Sequence, residues 1–180
     1  MLFRSVSQSR YQQYPEGTTL VFSNFTPRSD KHSSPLLQNK GVVVFGVQLM
    51  LQQLTEHFNE HFFKTKEREH FNTHEGYSKV YSIAELNKIK RSVIDPIKSE
   101  LDMYLNTDYD VTHFEELWDL GYLPIEVRAL DEGTVCPIRV PLLTIHNTKL
   151  EFFWVTNYLE TITSNLLWKP ITSASIARLS

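Results

Sequence analysis

The run from Leu150 to Trp168 is apolar on nearly every side, and this limits the possible folds more than any other feature of the chain. Read as a helix, it carries Phe152, Trp154, Tyr158, Leu159, Ile162 and Leu166 around most of its circumference. Such a helix is stable only when most of its faces are covered. The chain has 180 residues, enough for one ordinary domain, or part of a larger one, with a real hydrophobic core. That length is expected to leave some of the helix uncovered, so the isolated chain is expected to associate through exposed apolar surface.

What could cover the helix is written upstream of it. Thr18 to Phe25 is rich in β-branched and aromatic residues and reads as a strand after the Pro15–Gly17 turn. A polar loop with two prolines follows, from Thr26 to Lys40. Val42 to Phe63 reads as one amphipathic helix, because Val47, Met50, Leu51, Leu54 and Phe58 fall on one face. The stretch from Lys64 to Tyr77 is polar. Ser82 with Glu85, and Thr112 with Glu115, have the spacing of capping boxes, and Asp95-Pro96 suggests a fresh helix start between them. The period then shortens to two. Leu123 to Ala129, Thr134 to Ile138 and Leu142 to Ile145 read as strands, with a turn at Asp131-Glu132-Gly133. After Trp168 the sequence WKPITSASIARLS reads as extended. Strands early, helices in the middle and strands late give an α+β fold, with antiparallel strands and packed helices.

Charge removes several function classes. The net charge is −3 and the pI is about 6.2, so there is no broad basic field for a nucleic-acid backbone. Trp118, Trp154 and Trp168 are therefore read as core rather than as base-stacking platforms. No apolar run is long enough to span a bilayer, and the N-terminus lacks a signal-peptide core. The single cysteine, Cys136, excludes an internal disulfide and fits a reducing compartment. It reads as a small buried side chain between Val135 and Pro137. A cytoplasmic location is expected.

One pattern resembles a metal site. His57-Phe58-Asn59-Glu60-His61 spells H-x-x-E-H, which places two imidazoles on one helical face. The alternative is the polar side of an amphipathic helix, opposite Leu51, Leu54 and Phe58. With no third ligand in view, the second reading is preferred and no metal site is assigned. The other histidines have no ligand spacing, and the six glycines form no phosphate loop.

Three ordered stretches resemble nicotinamide phosphoribosyltransferases. Gln13-Tyr14-Pro15 and TTLVFSNFTPRS match the family's Q-Y-P turn, strand and following arginine, here Arg28. Val44-Phe45-Gly46-Val47-Gln48 is similar to the family's V-F-x-G-L-Q helix start. The longest stretch runs LPIEVRALDEGTVCPIRVPLLTIHNT into EFFWVTNYLETITSNLLWKPIT. It repeats the family's L-P-I-E, E-G, P, N-T, W-x-T-N, E-T and P-I-T in order. Several motifs in register are far less probable by chance than one.

The resemblance implies the N-terminal domain of a type II phosphoribosyltransferase, incomplete at its C-terminus, over residues 11–180. The intact enzyme, a pentosyltransferase, would move phosphoribosyl from phosphoribosyl pyrophosphate to nicotinamide. It would give nicotinamide mononucleotide in NAD salvage, with Mg²⁺ accompanying the donor, ATP as a further cofactor, and a homodimer completing the site. The resemblance implies that Arg28 reaches substrate phosphate. It places the main aspartate and the phosphorylated histidine beyond Ser180, so no catalytic residue is assigned and the fragment alone is expected to be inactive. Residues 1–10 depart from the family's D-S-Y-K-x-[ST]-H, with Arg4 for Asp and Val6 for Tyr, and are expected to be a divergent, artefactual start. Alternatives are a nicotinate-using relative, a non-catalytic binding or dimerisation module, and a zinc hydrolase.

Overall fold

A computed structural model describes residues 11, 13–31, 33, 35, 38–65 and 83–179. The expectations placed on residues 1–10, on Ser82 and on most of 64–77 lie outside that set. In chain order the elements are β1 (Phe22–Phe25), β2 (Val42–Val43), α1 (Val47–His57) with a π turn (Phe58–Phe62), α2 (Ile83–Leu105), α3 (Thr112–Leu120), β3 (Ile125–Ala129), β4 (Val135–Cys136), β5 (Leu143–Asn147), a 3₁₀ turn (Leu150–Phe152) and α4 (Trp154–Ala177). This is the expected α+β fold. The chain forms two compact units, one of Tyr14–Gln52 with Pro124–Ser180 and one of Met1–Gln13 with Gln53–Leu123.

The first unit is built on two antiparallel sheets, one ordered β1-β5-β3 and one pairing β2 with β4. In the larger sheet Phe25 lies opposite Leu143, and Ile145 opposite both Ser23 and Val127. The central strand β5 alternates as a half-buried strand should: Leu143, Ile145 and Asn147 are buried, and Thr144 and His146 less so. Helix α4 packs on β1, β2 and β5. It buries Trp154, Val155, Leu159, Thr163, Leu167 and Ile171, while Trp168 and Ile176 stay half exposed. Trp168 is thus not the core residue expected of it.

Several sequence expectations are corrected here. The strand expected over Thr18–Phe25 pairs only from Phe22. Upstream, the backbone is held by a side chain instead: Asn147 Oδ1 accepts the Val21 N–H at 2.9 Å, and its Nδ2 donates to the Thr19 carbonyl at 2.9 Å. The helix expected from Val42 starts at Val47, because Val42 and Val43 pair with Cys136 and Val135. Gly46, at φ +89°, makes the turn into α1. The segment after Trp168, expected to be extended, continues α4 through Pro170 to Ala177. Its hydroxyls help hold it. Thr172 Oγ1 donates to the Trp168 carbonyl at 2.7 Å. Ser175 Oγ donates to the Ile171 carbonyl at 2.6 Å and accepts the Val43 N–H at 2.8 Å.

The second unit is helical. The Asp95-Pro96 start does not occur, and α2 runs unbroken with Pro96 inside it. Proline within a helix removes one hydrogen bond and crowds the carbonyl four residues back, a cost of about 3 kcal/mol. Burial of Val93 and Ile94 before it and Leu101 after it holds both halves in one helix. The Thr112 capping box is absent too. Asp110 accepts both the Thr112 N–H, at 2.9 Å, and its hydroxyl, at 2.6 Å. Glu115 instead pairs with Arg91 at 2.9 Å. Helix α3 ends as expected at Gly121, whose left-handed conformation caps it through an N–H bond to the Leu117 carbonyl. His113 is buried at 3 % exposure and stacks on Tyr11 with ring centroids 4.4 Å apart. Burial pushes its pKa down to about 4, against a smaller opposing pull from Asp110.

Two stability measurements follow. Gly46→Ala places a Cβ at positive φ and 2.9 Å from Pro170 Cγ, so the urea midpoint should fall by the equivalent of about 2 kcal/mol or more. His113 is neutral when folded and takes up a proton more readily when unfolded. Stability should therefore fall as pH drops from 6.5 toward 4 and level off below, by roughly 3 kcal/mol at most from this group. His113→Phe should flatten that part of the pH–stability curve; an unchanged slope would mean another group titrates there.

Candidate functional site

Arg28 follows the edge strand β1, and the chain leading into it is tied down at two points. The Leu142 N–H donates to the Phe25 carbonyl at 3.0 Å, and the Arg139 N–H donates to the Pro27 carbonyl at 2.8 Å. Pro27 itself has a fixed φ, so the chain enters Arg28 with little freedom. The side chain is exposed. Among the described residues it makes no ion pair or side-chain hydrogen bond.

Two open cavities meet at Arg28, both within the sheet-containing unit. The first, of about 280 Å³, has Phe25, Leu143 and Ile145 as its apolar floor. Its other wall is the face of α4 that carries Glu160, Thr163 and Ser164, spaced three and four apart as one helical face requires. Thr163 is buried, and its Oγ1 has no hydrogen-bond partner. A buried hydroxyl without a partner costs about 1–3 kcal/mol. The second cavity, of about 460 Å³, is lined by Arg28, Lys40 and Arg139, with Asp30 the one acidic residue among its lining residues.

Sequence reasoning reached Arg28 alone. Glu160 and Thr163 were hidden inside an apolar helix, and Lys40 and Arg139 lie far apart in the chain. The hydrogen bond from the Arg139 N–H to the Pro27 carbonyl brings Arg139 beside Arg28, and it leaves no sequence pattern. Cys136 is fully buried as expected, with its thiol pKa raised by burial.

The His57–His61 pair lies elsewhere, in the helical unit. The rings are 4.5 Å apart and border a cavity with Phe58, Phe62 and Pro96. His57 has its pKa lowered, first by burial and then by His61. His61 is exposed and sits 3.8 Å from Glu60. Among the described residues, no three histidine, cysteine or acidic side chains converge on a point that could hold a metal ion.

The whole chain was compared with known proteins. Over 169 residues, 92% of this chain, it is 41% identical to a nicotinamide phosphoribosyltransferase of Acinetobacter baylyi. Over 57 residues, 32% of this chain and 12% of that relative, it is 44% identical to a nicotinamide phosphoribosyltransferase of Xanthomonas campestris pv. campestris. The chain is a homologue of nicotinamide phosphoribosyltransferases. It spans 29% of the length of the Acinetobacter relative. The fold is shared with human nicotinic acid phosphoribosyltransferase, at a TM-score of 0.54 and 18% identity, over 99% of this chain and 28% of that one. No family model matches the chain.

A metal measurement tests the histidine pair directly. After dialysis the purified chain should hold far less than one equivalent of zinc. Stoichiometric zinc that disappears in His61→Ala would revive the hydrolase alternative.

Proposed function

We propose that this chain is the N-terminal region of an enzyme that transfers phosphoribosyl from phosphoribosyl pyrophosphate to nicotinamide. The product is nicotinamide mononucleotide, and the setting is NAD salvage in the cytoplasm. The observation that carries the proposal is Arg28: an unpaired guanidinium on a tethered root, between a cavity with a hydroxyl-bearing wall and a cavity with two further cations. The homology to nicotinamide phosphoribosyltransferases supports it.

The chemistry needs positioning more than anything else. The pyridine nitrogen bonds to C1 of the ribose as the C1–oxygen bond breaks and pyrophosphate leaves with the electron pair. Holding the donor so that C1 meets the ring removes a large entropic part of the barrier. Cations around the leaving group favour the charge that develops on it. Arg28 suits this role, because a guanidinium offers two parallel N–H donors to two phosphate oxygens and stays charged at any physiological pH. A loop on a rigid strand lets its tip adapt to substrate while its root stays fixed.

A homodimer that completes the site belongs to the proposal as well. Mg²⁺ and ATP enter only as what the family resemblance implies. The described residues offer no cluster of metal ligands.

Donor binding by the full-length protein tests the assignment. Arg28→Ala should weaken phosphoribosyl pyrophosphate binding by about 1.5–3 kcal/mol, the range for a hydrogen bond to a charged group. Arg28→Lys should recover part of it, since a point charge replaces a fork. Wild-type affinity in both variants would make Arg28 an ordinary surface residue.

A further inference from the structure

We infer that Lys40 and Arg139 act with Arg28 as one three-cation cradle for the pyrophosphate group of the phosphoribosyl donor, an inference that rests on the reading above. All three side chains line the same cavity of about 460 Å³. They come from three separate places in the chain, and the backbone brings each to the cavity on its own.

Arg28 is delivered by β1 and Pro27. Lys40 is delivered by the corner at Asn39 and Gly41. Asn39 has φ +61°, and its N–H donates to Asp30 Oδ2 at 2.6 Å. Gly41, at φ +72°, lies so close to β4 that a Cβ on it would sit 2.5 Å from the Cys136 carbonyl oxygen. Only glycine permits that approach, and it fixes where Lys40 leaves the sheet. Arg139 is delivered by a turn in which it takes φ +69° while donating its N–H to the Pro27 carbonyl at 2.8 Å. An arginine at positive φ is uncommon and carries strain. Strain of this kind collects at ligand sites, where the surrounding structure enforces it.

The charges in the cavity do not balance. Asp30 is the one carboxylate among its lining residues, and it already accepts the Asn39 N–H. Among the described residues, none of the three cations makes an ion pair. Three like charges around one space repel each other, so the arrangement costs stability until an anion arrives. On a chain of net charge −3, a local excess of positive charge is not a by-product of composition. A pyrophosphate group brings several negative charges and oxygens facing several directions, which three separately anchored cations match better than a single phosphate does.

The test uses the full-length protein and inorganic pyrophosphate as probe, by titration calorimetry at fixed ionic strength, with orthophosphate for comparison. Wild type should bind pyrophosphate more tightly than orthophosphate. Lys40→Gln and Arg139→Gln should each weaken pyrophosphate binding about tenfold, the fold-change for losing one hydrogen bond to a charged group. Lys40→Arg should restore it. Melting temperatures should be unchanged or higher, because a repulsive charge is gone and both side chains are exposed; a lower one would leave Lys40→Arg, which keeps the charge, as the deciding variant. Wild-type affinity in both glutamine variants, with loss only in Arg28→Ala, would overturn the cradle and leave Arg28 as substrate ligand. Loss in both glutamine variants but not in Arg28→Ala would keep an anion site and count against the reading of Arg28. No pyrophosphate binding by wild type would overturn the cradle outright.

Discussion

The hydroxyl of Ser175 makes two bonds on which the sheet-containing unit depends. It donates to the Ile171 carbonyl inside α4 and accepts the Val43 N–H from β2. The second bond satisfies a backbone donor of the two-residue strand β2, whose pairing runs on at Val44 through its N–H to the Thr134 carbonyl. It also fixes the last turns of the apolar helix beside that strand. One turn earlier, Pro170 lies against bare Gly46, so helix and chain approach more closely than any side chain at Gly46 would allow. Burial of Leu159, Leu167 and Ile171 drives the association, because it is proportional to the apolar area removed from water. The hydroxyl and the glycine decide its register. With that register set, β5 can sit between β1 and β3 with its alternate residues turned inward, and the position of the loop that carries Arg28 follows from the end of β1.

What was legible in the sequence divides along a physical line. Both β3 and β5 were visible as strands, and in β5 the alternation matches burial of one face. The apolar stripe of α1 was visible too, and so was Gly121 as the stop for α3. Several of the misreadings concern segments whose partners lie far away in sequence. Pro96 and Pro170 look like helix boundaries because local propensity says so. Both lie inside helices because buried residues on either side outweigh a local cost of a few kcal/mol. Val42 and Val43 looked helical in period and are β because Val135 and Cys136 pair with them. The shortened β1 has the same cause: Asn147, one buried side chain, takes the hydrogen bonds that a longer ladder would have used.

The site follows the same division. Arg28 was reachable through resemblance, because it ends a run of residues in a fixed order. Lys40 and Arg139 carried no signal, since a lysine before a glycine and an arginine after an isoleucine are ordinary in loops. Only the folded backbone reveals that Arg139 is hydrogen-bonded to the residue preceding Arg28. Thr163 was hidden differently. Inside an apolar helix a threonine reads as a tolerated small residue, and its significance lies in an oxygen left without a partner.

These features raise the question of why the unit would keep an arginine at positive φ, a buried hydroxyl without a partner among the described residues, and three cationic residues lining one cavity. Each opposes folding, and the usual routes to stability would remove them: glycine for Arg139, valine for Thr163, a carboxylate beside Lys40. Stability is lost least when such features sit on elements that are already overdetermined. That is where they are found. Thr163 lies on α4, which buries residues along most of its length, Arg28 in a loop whose root is hydrogen-bonded, and Arg139 in a turn fixed by its own N–H. On the proposed reading, the rigid part of the unit absorbs the cost of a site that an anion would complete. A purely structural module would gain from losing all three features, and their coincidence around Arg28 is better explained by a ligand than by the fold.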